Sequence, residues 1–132
     1  MMSFFRVLLL FLMISSFGWL SACGRIDQNQ SQDAGITIEL TMQPEQPAVG
    51  PARLIFTLTD EAGQPINDAR LDIEGNMTHA GMAPVFAQAS AGQEGRYMVP
   101  FEWTMGGDWY VTVEVSLADG RRFTRRIPVT VE

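Results

Sequence analysis

The chain has 132 residues, enough for one domain. Its 15 acidic residues outnumber nine arginines, it has no lysine, and the net charge is −6 with the single histidine neutral. This acidic balance argues against a nucleic-acid-binding function, because contacts with phosphates need a basic surface.

Residues 1–22 have the pattern of a signal peptide. Arg6 is their only charged side chain, and the apolar run VLLLFLMISSFGWL follows it. This run of about 14 residues is shorter than the ~20 that a transmembrane helix needs and is typical of the apolar region of a signal. We expect a helical signal peptide that the mature chain lacks.

The only cysteine follows this segment directly. The sequence Leu20-Ser21-Ala22-Cys23 resembles a bacterial lipobox, in which the cysteine thiol receives a diacylglyceryl group and cleavage occurs on its N-terminal side. We therefore expect Cys23 to anchor the protein to a membrane of the cell envelope. In a Gram-negative cell, Gly24 in place of aspartate favours the outer membrane, with the domain facing the periplasm. The alternative is a buried cysteine at the end of an uncleaved anchor helix.

The mature chain begins with a polar segment. Residues 23–34 comprise Cys23 and the sequence GRIDQNQSQDA, which predicts a flexible tether between the membrane and the domain. Without the signal peptide, eight arginines face 15 acidic residues, so the mature net charge is −7 (8 − 15).

From residue 35 to 132, apolar and polar residues alternate with a period of two, as in half-buried strands. Turn residues such as Gly63, Pro65 and Gly120 separate the alternating runs. The predicted strands cover residues 36–42, 52–59, 69–75, 85–88, 96–103, 109–117 and 121–132. This pattern predicts an all-β domain, an immunoglobulin-like antiparallel sandwich of about seven strands. Pro128 predicts an edge or a bulge in the last strand.

Six short motifs follow one another along this domain. They are Gly63-Gln64-Pro65, Asp68-Ala69, Met77 to Met82, Gly95-Arg96-Tyr97, Phe101, and Met105 to Trp109. Their order over residues 36–131 resembles the YtkA-like domain and the related FixH-like proteins. The family form of the loop is close to Met-Pro-x-His-Gly-Met, whereas this chain has Thr78 in place of proline and Ala80 between His79 and Gly81. The resemblance implies a small extracytoplasmic sandwich, often anchored, and in some members linked to copper handling or oxidase assembly.

The segment GNMTHAGM, residues 75–82, is the candidate binding site. Met77 and Met82 flank His79, and thioether sulfur together with imidazole suits Cu(I). Met105, in the loop between the predicted strands 96–103 and 109–117, is a fourth candidate ligand if both loops lie at the same end of the sandwich. Zinc fits less well because it prefers several His, Cys or carboxylate ligands.

A second interpretation needs no metal. Methionine fills irregular gaps in protein cores, so GNMTHAGM can be a packed loop of an envelope interaction or scaffold domain. The sequence leaves both functions open, together with an unidentified envelope protein as partner, and it assigns no oligomeric state. We expect no enzyme, because the chain has no Ser–His–Asp or Cys–His pairing and no glycine-rich phosphate loop.

Three neighbouring features have a structural interpretation. Trp103 and Trp109 continue the inward faces of their strands, and we expect Asp108 to order the turn between them through its side chain. The arginine run at 121–126 predicts a charged strand edge that deters aggregation. Contact with anionic lipid headgroups or an acidic partner is the alternative role for these arginines.

Overall fold

The computed structural model describes residues 35–79 and 81–132. The predicted signal helix at 1–22, the lipidated Cys23 and the tether lie outside these residues and stay predictions. Within the described part of the chain, no helix is long and apolar enough to span a membrane.

Seven antiparallel strands form two sheets and confirm the predicted all-β sandwich. The strands are β1 (Ile36–Gln43), β2 (Gly50–Asp60), β3 (Arg70–Met77), β4 (Val85–Ala89), β5 (Arg96–Trp103), β6 (Gly107–Ser116) and β7 (Arg122–Val131). One sheet has the order β1-β2-β5 and the other β4-β3-β6-β7. This arrangement differs from that of an immunoglobulin constant domain in the position of β4, which pairs with β3 instead of β5.

The core lies between the sheets and is rich in aromatic side chains. Phe56, Tyr97, Trp103 and Trp109 are each at most 1% exposed. Trp103 packs edge to face on Trp109, with ring centroids 5.3 Å apart. Among the described residues, the core cluster and the side chains packed on it lie between positions 36 and 131 and come from both sheets, so residues 35–132 carry the two-sheet core.

Side-chain hydrogen bonds beyond the strand ladders help to close the sandwich, among them those of Tyr97 and Arg125. The hydroxyl of Tyr97 donates to the carbonyl of Ile66 at 2.9 Å and accepts from the N–H of Ala69 at 3.0 Å, which fixes the β2–β3 connection. Arg125 points inward from β7 and donates through Nη1 to the carbonyl of Ile38 in β1 at 2.6 Å. The hydrogen bond of Arg125 joins the edge strands of the two sheets. β7 is an edge strand, as Pro128 predicts.

The strand registers define two opposite ends of the sandwich. At one end β1 begins, with Ile36 opposite Asp60. At the other end Gly50 lies opposite Trp103, and Met77 lies opposite Trp109. We call this second end, formed by the β3–β4 loop (residues 78–84), the β5–β6 turn (104–106) and the start of β6, the methionine end.

Candidate functional site

Met77 is the last residue of β3 and anchors its loop to the core. Its side chain is half-buried and packs against the core cluster. Gly107, the first residue of β6, lies beside it: a Cβ added to Gly107 would be 3.1 Å from Cε of Met77. The absence of a side chain at Gly107 therefore leaves space for the end of the Met77 side chain.

Met105 lies in the β5–β6 turn at the same end of the sandwich. Its side chain is 47% exposed. The indole Nε1–H of Trp109 donates to the carbonyl oxygen of Met105 at 3.0 Å, so the turn is tied to a buried ring. The thioether of Met105 is accessible to a ligand while its backbone is held in place.

A backbone hydrogen bond joins the two methionine-bearing segments. The N–H of Thr78 donates to the carbonyl oxygen of Asp108 at 3.0 Å, one residue beyond Met77 and three beyond Met105. The condition that both loops lie at one end of the sandwich is therefore met. The role of their sulfurs as metal ligands stays a prediction.

His79 and Met82 belong to the loop itself. The side chain of His79 is exposed, and that of Met82 is half-buried. Met77 belongs to the half-buried residues that pack on the core, whereas Met82 is outside that set. Gly81 adopts a φ of 96°, a conformation that bends the loop and that side-chain-bearing residues rarely take. The loop therefore offers one accessible imidazole and one partly accessible thioether near the Met77 anchor.

The donor types at the methionine end fit a soft monovalent metal. Three thioethers and one imidazole suit Cu(I), and the exposure of His79 and Met105 leaves both free to turn toward an ion. In the described residues, no three His, Cys, Asp or Glu side chains form a group able to hold a metal ion. The candidate cluster is of another kind, since methionine sulfur supplies most of its ligands.

Asp108 has a different role from the predicted one. Its carboxylate accepts a hydrogen bond from the Thr130 hydroxyl at 3.0 Å, so it links β6 to β7 rather than ordering the β5–β6 turn. The turn depends instead on the Trp109 indole. Sequence reasoning missed both bonds, because one acceptor is a backbone carbonyl and the other pair is separated by 22 residues. The structural interpretation of Trp103 and Trp109 as core residues is correct.

The ion pairs that the structure resolves lie away from the methionine end. The backbone N–H and guanidinium of Arg121 hold the pKa of Asp119 below its usual value, in the β6–β7 hairpin at the opposite end. Arg70 pairs with Asp72 on the outer face at 3.1 Å, and the Asp72 carboxylate raises the pKa of that guanidinium. Arg126 stacks on the ring of Tyr110, 3.9 Å from its centroid. These arginines are therefore engaged with their own sheet.

Fold and site together define a class of protein: a two-sheet antiparallel β-sandwich domain, one end of which presents thioether and imidazole side chains. The model of the YtkA-like family matches residues 30–114, about two thirds of the chain, and the chain belongs to this family. It is also similar in structure to the soluble domain of PmoD from Methylocystis sp. (strain Rockwell). That similarity has 16% sequence identity and a TM-score of 0.48, over 72% of this chain and 90% of the other. Among curated proteins, none matches the chain.

Proposed function

We propose that this protein is a lipid-anchored binding module of the cell envelope that holds one Cu(I) ion through Met77, His79, Met82 and Met105. The observation that carries the proposal is the hydrogen bond between Thr78 and Asp108. It keeps the end of β3 and the loop that follows, which together bear three of the candidate ligands, beside the turn that bears the fourth. Cu(I) favours this donor set because sulfur and imidazole are softer ligands than carboxylate.

The accessibility of the ligands favours a handling role over permanent storage. His79 is exposed and Met105 is 47% exposed, so an acceptor protein can approach the ion and replace ligands one at a time. An accessory protein that buffers copper, or passes it to an envelope protein during copper homeostasis or oxidase assembly, needs such access.

The anchor fits the same role. Lipidation of Cys23 would attach the chain before Gly35, and β1 starts at the end of the sandwich opposite the methionine end. The tether therefore joins the domain away from the candidate site. Expression of the chain and of Cys23→Ala in a Gram-negative host tests this part: the parent should partition with the outer membrane and carry the mass of the acyl groups. A parent chain without that mass would contradict the anchor.

Anaerobic titration of residues 35–132 with Cu(I), against a competing chelator, tests the site. We expect one tightly bound ion in the parent and at least a tenfold loss of affinity in the His79→Ala, Met82→Ala double variant. Met98→Ala is the matched control, because Met98 is 62% exposed on β5 and points away from the core. The site is wrong if the double variant binds as tightly as the Met98 variant.

The second candidate function is a metal-free interaction or scaffold module, and the packing of Met77 on the core favours it. Under this hypothesis Met77→Ala destabilises the domain through lost burial, and Cu(I) leaves the melting temperature unchanged. A ligand that binds only the native state stabilises it by about 2.7 kcal/mol at a hundredfold excess over Kd. A clear copper-dependent rise in melting temperature would therefore rule out the scaffold hypothesis.

A further inference from the structure

The start of β6 contacts both methionine-bearing segments at once. The carbonyl oxygen of Asp108 accepts from the Thr78 N–H, and the indole of Trp109 donates to the Met105 carbonyl, each at 3.0 Å. Two consecutive residues thus connect the β3–β4 loop to the β5–β6 turn. These two hydrogen bonds add to the β3–β6 ladder in linking the segments that bear Met77 and Met105.

The Trp109 ring is a rigid point of attachment. It is 1% exposed and packs edge to face on Trp103, with an interplanar angle of 73°. A ring held this firmly by its neighbours presents its N–H in one direction only. The β5–β6 turn that accepts this hydrogen bond bears the exposed side chain of Met105. The hydrogen bond from the buried indole therefore holds a turn whose side chain is not held by packing.

Asp108 is fixed from the opposite side. Its carboxylate accepts a hydrogen bond from the Thr130 hydroxyl of β7, while its carbonyl oxygen serves Thr78. The peptide that links the loop to β6 is therefore tied to two neighbouring strands. Both methionine-bearing segments are positioned by groups that are not themselves ligands.

We propose that Trp109 is a positioning residue of the Cu(I) site: its indole N–H holds the β5–β6 turn so that the Met105 thioether faces the ion bound by the β3–β4 loop. This inference rests on the proposed function. A binding site whose ligands come from separate segments needs them held to within about 0.5 Å. Without the indole bond the turn must be ordered when the metal binds, and that ordering opposes binding.

The chain contains its own control for this proposal. Trp103 is also fully buried in the same aromatic cluster, but within the described residues its Nε1 has no hydrogen-bond partner. Trp109→Phe and Trp103→Phe therefore remove the same atoms from the same part of the core. Only the first substitution removes a hydrogen bond to the metal-bearing turn.

The experiment is an anaerobic Cu(I) titration of residues 35–132 in the parent and in both tryptophan variants. A net hydrogen bond corresponds to about a two- to twelvefold change in an equilibrium constant. We expect Trp109→Phe to weaken Cu(I) binding by about this factor relative to Trp103→Phe. Urea denaturation of the metal-free variants separates this effect from a general loss of stability, which both variants share.

Nuclear magnetic resonance of the methionine methyl groups gives a readout that a general loss of stability would not change. In the parent, Cu(I) should shift the methyl signals of Met77, Met82 and Met105. The signals of Met42 and Met98 serve as internal references. In Trp109→Phe, the signal of Met105 should broaden in the metal-free protein and lose most of its Cu(I)-dependent shift, whereas the signals of Met77 and Met82 keep theirs.

The outcomes separate the two proposals. A parent that does not bind Cu(I) overturns the proposed function and this inference together. A parent that binds, with equal affinities and equal Met105 shifts in the two tryptophan variants, overturns the inference alone. If Trp109→Phe does not fold, a benzothienylalanine at position 109, which keeps both rings and lacks the N–H, tests the same hydrogen bond to the Met105 carbonyl. It should weaken Cu(I) binding by about the same factor, and an unchanged affinity with an unchanged Met105 shift would refute the positioning role.

Discussion

Removing one oxygen atom from Tyr97 should destabilise the domain markedly. The ring is fully buried, and its hydroxyl bonds both Ile66 and Ala69 in the β2–β3 connection. In Tyr97→Phe the N–H of Ala69, a residue only 1% exposed, loses its acceptor. A buried group left without a partner costs about 1–3 kcal/mol. We expect the free energy of unfolding of residues 35–132 to fall by about 2 kcal/mol at pH 7 in urea denaturation.

Tyr110→Phe is the matched control. It removes the same atom from a half-buried ring on the outer face, where Arg126 stacks on the ring itself, 3.9 Å from its centroid. Phenylalanine keeps that stacking, so the loss should be at most about 0.5 kcal/mol. Equal losses in the two variants would refute the argument that the Tyr97 hydroxyl holds the connection.

The same hydroxyl predicts how stability depends on pH. Burial raises the pKa of Tyr97 above its ordinary value of 10.0 in the folded state. The contribution of a group with a raised folded pKa is fully present below the unfolded pKa and is lost as pH rises through the folded one. We therefore expect stability to decline above about pH 10, by up to ~1.4 kcal/mol per pH unit.

The composition of the chain allows this pH dependence to be assigned to one side chain, that of Tyr97. The chain has two tyrosines and no lysine, so in Tyr110→Phe the Tyr97 hydroxyl is the one tyrosine or lysine group of residues 35–132 left to ionise at alkaline pH. Ultraviolet absorbance then follows its ionisation, which should coincide with alkaline unfolding. Ionisation at the ordinary tyrosine pKa in a still folded domain would contradict the burial argument.

Three further substitutions test the packing and the turns. Glu94 has a positive φ of 52° in the β4–β5 turn, and Glu94→Asn should raise the free energy of unfolding by about 0.5–1 kcal/mol, measured with urea, because asparagine tolerates this conformation better. Arg125→Met should cost about 1.5–3 kcal/mol in the same assay, because it removes the charged donor to the Ile38 carbonyl between the two sheets. Gly75→Ala should cost about 1–3 kcal/mol and lower the melting temperature, because the new Cβ would lie 2.5 Å from the buried ring of Phe101.

Each of these three measurements has an outcome that would contradict the structural argument behind it. A Glu94→Asn variant no more stable than the parent would show that the turn carries no strain. An Arg125→Met variant of parental stability would show that the link between the edge strands is dispensable. If Gly75→Ala has the same melting temperature as the parent, the ring of Phe101 moves aside without loss of stability.

The number and the approximate bounds of the strands could be predicted because they depend on local alternation. The segment from Arg96 to Trp103 is β5 as predicted, and its four inward residues are buried. The hairpin at residues 118–120 follows from its turn residues. Each of these features is set by neighbours within a few positions. For that reason one sequence is enough to predict them.

The candidate site could be predicted only in part. The two loops do share one end, which follows from the up-and-down course of the strands. The link between Thr78 and Asp108, however, requires β3 to pair with β6, and their paired residues are 32 or more positions apart. The wrong prediction for Asp108 has the same origin, since its partner Thr130 belongs to β7.

The sequence by itself determined the local features of this protein: the alternation that makes strands, the lipobox-like cysteine, and the clustering of sulfur around one histidine. The tertiary structure alone decided which strands became neighbours, and so which groups hold Met77 and Met105 in place. The physical reason is that hydrogen bonds between distant strands, and the packing of Trp109 on Trp103, form only when the two sheets close around a common core. GNMTHAGM and Met105 supply candidate ligands, and the start of β6 is hydrogen-bonded to both segments that bear them.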